Sequence, residues 1–433
     1  METLEQRVMP KVFRRLVPFL ILCYFVSFLD RVNVGFAALQ MNKDLGLSAT
    51  AFGLGAGLFF LTYFLFEVPS NLLLVRFGAR RWIARIMVTW GLVSAATAFV
   101  TGPTSFYIVR LLLGLAEAGF FPGVAYFLTL WFPSAYRARV MGYLLVAAPM
   151  STVIGAPISG VLLNLEGVMG LHGWQWMFIL EALPAVILGF IALKHLKGEP
   201  ADAAWLSADE RRWLSQRMAA EDRERRAESH LSVAQVFFNP QVWLLSTMAF
   251  GFFLTIFGVG FFLPQIVKSF GLSNVQTGFV AAIPYVVASL SIVFWARRSD
   301  AQKERRLHIA VPAFIAGVAL IAAALVDDSI LKMIAFSVAA FGIFGALPAF
   351  WAINTTLLSG PASAAGIAFI GAVGNLGGFA GPSLLGLSKD LTGSYAGGLV
   401  ILAAVAFVAA AIALGVGRRS NPSSGIALTP SGE

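Results

Sequence analysis

The sequence is poor in charge, cysteine and histidine, and each shortage excludes a class of protein. Only 12% of the 433 residues are Asp, Glu, Lys or Arg, about half the share found in soluble domains. With 58% hydrophobic residues and a mean hydropathy of +0.80, a chain this long cannot present a solvated surface. That overrides the length prior of about three soluble domains. Cys23 is the only cysteine and lies in an apolar run, which excludes a secreted disulfide scaffold. His172, His195, His230 and His308 show no metal-ligand spacing, so a histidine metal site is not expected. The net charge of +9 would suggest nucleic acid in a soluble protein. Here the charge is a matter of distribution, and no nucleic-acid partner is expected.

What is present is apolar runs of membrane-spanning length. About 20 apolar residues cross the hydrocarbon core, and a window of that size finds spans near 17–39, 52–75, 82–101, 106–131, 140–164 and 174–194. Six more lie near 241–267, 275–296, 308–326, 331–357, 363–387 and 394–416. The first run is long enough to span and has no small-residue cleavage site, so it is expected to stay as a helix. The expected fold is all-α and integral to the membrane, with twelve transmembrane helices. Of 31 Lys and Arg residues, 25 fall on one side of the alternating loops and five on the other, with Arg31 inside a span. By the positive-inside bias both termini are expected in the cytoplasm.

Between the sixth and seventh spans, residues 195–240 form a charged loop. Ser207-Ala208-Asp209-Glu210 reads as a capping box, and Trp213, Leu214 and Met218 form an apolar edge that lies on the membrane surface or the bundle. A solvated tether carrying one amphipathic helix is the expectation, with no chemistry assigned to it.

The chain also repeats itself. Gly46-Leu47-Ser48 recurs as Gly271-Leu272-Ser273, Gly53 as Gly278, Arg80-Arg81 as Arg305-Arg306 and Pro157 as Pro382, all at a shift of 225 residues. Two parallel six-helix halves, 1–194 and 241–433, are therefore expected. Such an architecture implies a transporter with its site near the midplane between the halves.

The run Asn71-Leu-Leu-Leu-Val75-Arg76-Phe77-Gly78-Ala79-Arg80-Arg81 resembles the loop signature of the major facilitator superfamily. Its mate runs from Ala296-Arg297-Arg298-Ser299-Asp300 to Glu304-Arg305-Arg306. The first copy has Val75 where the family usually has an acid; the second keeps Asp300 but has Ala296 and Lys303 at usual glycine positions. The resemblance implies that these loops latch the cytoplasmic gate through charge pairs. Arg76, Arg80, Arg81, Asp300, Arg305 and Arg306 are its candidate residues, and the first latch is expected to be the weaker.

Phe28-Leu29-Asp30-Arg31-Val32-Asn33 in the first span and Gly114-Leu-Ala-Glu117-Ala-Gly-Phe-Phe-Pro122-Gly123 in the fourth narrow the resemblance. With Trp131-Phe132-Pro133 and Gly374-Asn375-Leu376-Gly377-Gly378, they are similar to the anion:cation symporter family, in the branch of tartrate, phthalate and hydroxyphenylacetate permeases. That implies proton-coupled uptake of an organic carboxylate across a bacterial inner membrane by a monomer. The proton would serve as coupling ion, with no other cofactor.

Four ionisable residues lie where they are expensive, since a charge at mid-bilayer costs on the order of 3 kcal/mol on insertion scales. They are Asp30 and Arg31 in the first span and Arg110 and Glu117 in the fourth. Their repeat mates are Thr255, Ile256, Ala335 and Gly342, so the same fold does not require the charges. A guanidinium grips a carboxylate without losing its proton, which makes Arg31 the candidate substrate ligand. Asp30 and Glu117 are the candidate proton carriers, as the resemblance also implies, and Arg110 the switch that pairs with either acid. A static interhelical network is the alternative.

Tyr63 is expected to offer its hydroxyl to the substrate. Asn375, whose repeat mate is Met150, matches a family position that contacts substrate; an interhelical hydrogen bond is the competing reading. Trp351, Asn354 and Thr355 are further lining candidates. Glu67 is assigned to the gate and Glu181 to structure. An intramembrane enzyme would need a nucleophile–base pair or a metal cluster, and neither is present in the sequence. An exporter of an anionic metabolite or drug is the second reading.

Overall fold

A computed structural model describes residues 3–227, 238–357 and 362–416. Twelve helical spans among the described residues are long and apolar enough to cross a membrane, the fourth being made of two helices, as the hydropathy windows predict. The first half comprises α1 (Leu4–Asp44), α2 (Ala49–Phe77), α3 (Ala79–Ala96), α4 (Pro103–Glu117), α5 (Phe120–Trp131), α6 (Ser134–Leu162) and α7 (Gly173–His195). After α8 (Ala208–Ala227) the second half follows as α9 (Pro240–Lys268), α10 (Asn274–Gln302), α11 (Leu307–Leu325), α12 (Ser329–Leu357), α13 (Ala362–Thr392) and α14 (Ala396–Gly415). The first helix begins thirteen residues before the apolar run and projects from the tail face, the one at which α1 starts and α14 ends.

The repeated residues turn out to be caps and contact points. Ser48 and Ser273 cap α2 and α10 by accepting from the backbone N–H of Ala51 and Gln276. Gly53 of α2 lies against the Pro382 carbonyl of α13, and its mate Gly278 of α10 lies against the Ala156 carbonyl and Pro157 of α6. The glycine and the proline of each copy thus meet across the pseudo-twofold axis, where a Cβ would separate the backbones.

These approaches, with Gly57 on Phe379 and Gly160 on Asn274, lie in the half of the bundle away from the tail face. The hydrogen bonds that join the two halves at helix ends lie there too. Asp390 of α13 accepts from the N–H groups of Ala49 (3.2 Å) and Thr50 (2.7 Å) in the first turn of α2, and Asn274 donates to Asn164 at 3.5 Å.

Of the 195–240 loop, the described residues up to Ala227 are not a free tether, and 228–237 lie outside the described residues. The Ser207–Glu210 capping box forms as the sequence predicts, with Glu210 donating its N–H to the Ser207 hydroxyl and accepting from the Ser207 N–H. The helix it opens docks on the tail face of the first half. Glu210 is 1% exposed and takes the Lys11 ammonium at 2.6 Å, Glu221 takes Arg137 at 2.7 Å, and Leu206, Leu214 and Met218 are buried. Trp205 stacks on Trp131, with ring centroids 5.9 Å apart. The sequence shows the apolar edge; that the bundle rather than the lipid receives it depends on tertiary geometry.

Candidate functional site

The fourth span is continuous in the hydropathy profile but broken in the structure, and the break falls at the site. α4 ends at Glu117, Ala118 turns extended, and Gly119 adopts a left-handed conformation (φ 86°) before α5 starts. A Cβ on Gly119 would meet the Ser70 hydroxyl at 2.5 Å, so glycine is needed for both conformation and space. Pro122 in the first turn of α5 has no N–H to extend the ladder back across the break. Discontinuous helices are tolerated at membrane depth where they line protein or a cavity.

Four intramembrane charges converge there. Arg31 is 8% exposed and donates through Nη2 to Glu117 Oε1, which also accepts from the Ser27 hydroxyl at 2.9 Å. Ser27 precedes Arg31 by one helical turn, so both reach the same acid. Rings surround the guanidinium: its carbon lies 5.0 Å from the centroid of Phe28, 5.2 Å from Phe59 and 5.3 Å from Tyr63. Such contacts stabilise a desolvated cation. Glu117 Oε2 and Arg31 Nε are buried without partners. The pair is therefore incompletely satisfied, and each member can accept a further group.

Asp30 points away from Arg31. Its Oδ1 accepts from the Ser94 hydroxyl of α3 and from the Asn33 amide at 3.4 Å, while Oδ2 has no partner. Arg110, 1% exposed, donates to the Ala56 carbonyl at 3.1 Å. Among the described residues it makes no ion pair, so the structure does not bring it into contact with either acid. Its guanidinium carbon lies 5.2 Å from the centroid of Phe59, the same distance as that of Arg31. One ring therefore contacts both cations.

Tyr63 is 3% exposed beside Arg31. Glu67, one turn further along α2, turns its carboxyl to the Asn375 amide of α13 and lies within electrostatic reach of Arg31. Glu67, inside the second span near its tail-face end, thus sits by the central charges at the seam between the halves. Trp351 is half-buried over Gly371. Asn354 is fully buried with both amide atoms unpartnered, and the Thr355 side chain lies outside the described residues. On the far side from the tail face, Phe60 packs on Phe257 (4.4 Å), Phe261 and Gly378, closing the site.

The two loop signatures hold different interactions. In the second, Asp300 pairs with Arg305 at 2.6 Å, and Ser299 also accepts from Arg305. Arg306 caps α11 through its backbone carbonyl. In the first, where Val75 replaces the acid, rings take its place. Phe77 stacks on Trp82 at 5.6 Å, with Arg76 over Phe77 and Arg85 over Trp82. Arg80 is half-buried with Nε unpartnered, and Arg81 is exposed.

Sequence reasoning missed Ser27, Ser94, Phe59 and Phe60. The i, i+4 spacing from Arg31 could have found Ser27; the others come from different helices and carry no local signal. Among the described residues no group of three or more His, Cys, Asp and Glu could hold a metal ion.

Residues 20–382 match the family model of the Major Facilitator Superfamily. A protein of Agrobacterium vitis named "Putative tartrate transporter" is 50% identical over 427 residues, covering 99% of this chain and 98% of the other. The "Quinolone resistance transporter" of Acinetobacter baumannii is 40% identical over 402 residues, 93% of either chain. The fold is similar to that of the xylose transporter XylE from E. coli in a partially occluded, inward-open conformation. There the TM-score is 0.77 at 12% identity, over 94% of this chain and 98% of that one. The chain is a multi-pass membrane transporter and belongs to the major facilitator superfamily.

Proposed function

We propose that the protein is a proton-coupled symporter that imports an organic carboxylate, such as tartrate, a sugar acid or an aromatic acid, as a monomer in a bacterial inner membrane. The observation that carries this reading is Arg31. It is a buried guanidinium at the level of the helix break, ringed by Phe28, Phe59 and Tyr63 and held by one carboxylate that a substrate carboxylate can replace. A fixed cation selects an anion, and the tartrate name of the A. vitis relative agrees with one. The strong bias of Lys and Arg toward the tail face supports a cytoplasmic tail face.

The mechanism follows from the pairing. In this reading the Arg31–Glu117 pair is the arrangement that follows release of proton and anion to the cytoplasm, with the far face closed by Asp390, Gly53, Gly278 and Phe60. Facing outward, protons on Glu117 and Asp30 free Arg31 for the incoming carboxylate. Tyr63, Glu67 and Asn375 line the seam that closes on it, with Trp351, Asn354 and Thr355 further toward the cytoplasm. Arg110, behind Phe59, makes no ion pair with the acids here but lies within electrostatic reach of both, and acts on their ionised forms through space. The loops of Arg76, Arg80 and Arg81 and of Asp300, Arg305 and Arg306 act on the cytoplasmic gate.

Counterflow in proteoliposomes tests the substrate class: tartrate, galactonate, glucarate, phthalate, hydroxyphenylacetate and a neutral sugar are each loaded unlabelled inside and offered labelled outside. Exchange with one or two carboxylates and none with the sugar is the expected result; exchange with the sugar alone refutes the assignment of Arg31. An exporter of an anionic drug or metabolite is the second reading, favoured by the quinolone-resistance relative. It differs in direction, which uptake under an imposed pH gradient decides.

A further inference from the structure

The mechanism above leaves one buried carboxyl unused. Glu181 of α7 is 3% exposed, accepts from the Ser159 hydroxyl of α6 at 2.7 Å, and has Oε2 buried without a partner. The NH2 of Asn33 on α1 is directed at it as well, and the same Nδ2 donates to Asp30 at 3.4 Å. Asn33 is fully buried, and its own Oδ1 lacks a donor. Three acceptor oxygens are thus orphaned in one cluster: Asp30 Oδ2, Asn33 Oδ1 and Glu181 Oε2.

Buried acceptors left without donors are costly, and a proton is what this cluster is short of. If Glu181 carries it, the hydroxyl donates to the Asn33 carbonyl while the Asn33 NH2 donates to the Asp30 carboxylate. If Asp30 carries it, rotating the amide by half a turn restores the same two bonds in the opposite sense. An amide between two carboxyls therefore accommodates one proton on either side and favours neither two nor none.

Packing gives no other reason for these residues. At the repeat shift, Asn33, Ser94, Ser159 and Glu181 correspond to Gly258, Ala319, Leu384 and Ala406, so the second half builds the same helix contacts without them. The charged group facing Glu181 is Asp30 on α1, which itself faces Glu117 and Arg110 of α4 through space. Neighbouring elements contribute hydroxyls: Ser94 on α3 donates to Asp30 and Ser159 on α6 donates to Glu181. Among the described residues no cation forms an ion pair with it. Glu181 lies eight residues from the outer end of α7, about 12 Å, whereas Asp30 lies about 21 Å from the outer end of α1. Glu181 is thus on the outer side of Asp30.

We infer that Glu181 and Asp30, bridged by Asn33, form one protonation unit, in which Glu181 holds the coupling proton on the outer side of Asp30. In the exchange one O–H bond breaks at one carboxyl and one forms at the other, with no change in total charge. Glu181 acts through Asp30 and does not touch the substrate. The inference rests on the proton-coupled reading above.

The test is the pH profile of substrate uptake by the full-length protein in liposomes at zero membrane potential, using tartrate or whichever carboxylate exchanges in counterflow. In Glu181→Gln the side-chain NH2 donates permanently to Asn33, locking its amide onto an ionised Asp30, so the profile moves to acid pH by about one unit, the tenfold effect of one such bond. Asn33→Leu removes the donor to Asp30 and moves the profile to alkaline pH. The opposite signs distinguish a protonation unit from general damage, and either variant serves if the other does not fold. A pH-dependent wild type whose profile neither variant moves overturns the inference alone. A wild type with no pH dependence overturns the symporter reading and this inference with it.

Discussion

Replacing Glu117 with Gln removes one charge from the central pair and little else. The Gln carbonyl still accepts from Ser27 and Arg31, so the helix break keeps its contacts. What is lost is competition. In the wild type an incoming carboxylate must displace an ionised Glu117 from Arg31, and a hydrogen bond to a charged group contributes about 1.5–3 kcal/mol. The neutral variant should therefore bind the anion about 10- to 150-fold more tightly at a pH where Glu117 is ionised, since about 1.4 kcal/mol is a factor of ten. The sign with pH follows. Protonating Glu117 favours binding, so wild-type affinity falls as pH rises, and in Glu117→Gln that dependence flattens by the equivalent of one proton. Calorimetric titration of the purified protein at several pH values measures both effects. Equal affinities in wild type and variant, with parallel pH dependence, would refute the competition argument, as would intact proton-driven uptake by the variant.

The Asp390 carboxylate sits on the exposed N-terminus of α2 across the seam, where an anion stabilises by about 0.3–1 kcal/mol. Asp390→Asn should shift the population about two- to fivefold toward the outward-open state, read by electron–electron distance measurements between spin labels at the outer ends of α2 and α13. Glu210 anchors α8 to α1, and the Lys11 ammonium, with the Ser207 N–H, holds its carboxyl below the ordinary 4.5. A depressed carboxyl stabilises above its unfolded value and loses that stabilisation as pH falls through the folded one. Glu210→Ala should therefore cost about 1 kcal/mol at neutral pH and nothing once the wild-type carboxyl is protonated. Thermal melts at neutral and strongly acid pH check this.

The sequence carried the fold because the bilayer enforces it: twelve apolar lengths give twelve spans, and a 225-residue register gives two halves. The register even marks the seam, since the repeated Gly53, Gly278, Pro157 and Pro382 are where the halves touch. The central charges were legible for the same reason, being expensive at that depth. Their pairing was not. Arg31 selects Glu117, Asp30 turns to Ser94 and Arg110 turns to a carbonyl, and these choices depend on side-chain directions between helices. Hydropathy missed the break after Glu117, because Ala118 and Gly119 are as apolar as the helix they interrupt. The place of Glu67 at the seam was likewise invisible, because Asn375 comes from the other half.

The central claim is that Arg31 binds a carboxylate whose entry carries protons inward. The most direct measurement is internal acidification of proteoliposomes holding a trapped pH dye, on adding the carboxylate that exchanges in counterflow. Wild-type protein should acidify the lumen and Arg31→Ala should not, although it still reconstitutes. Acidification that survives in Arg31→Ala, or wild-type uptake of the labelled anion with no pH change, would contradict the account.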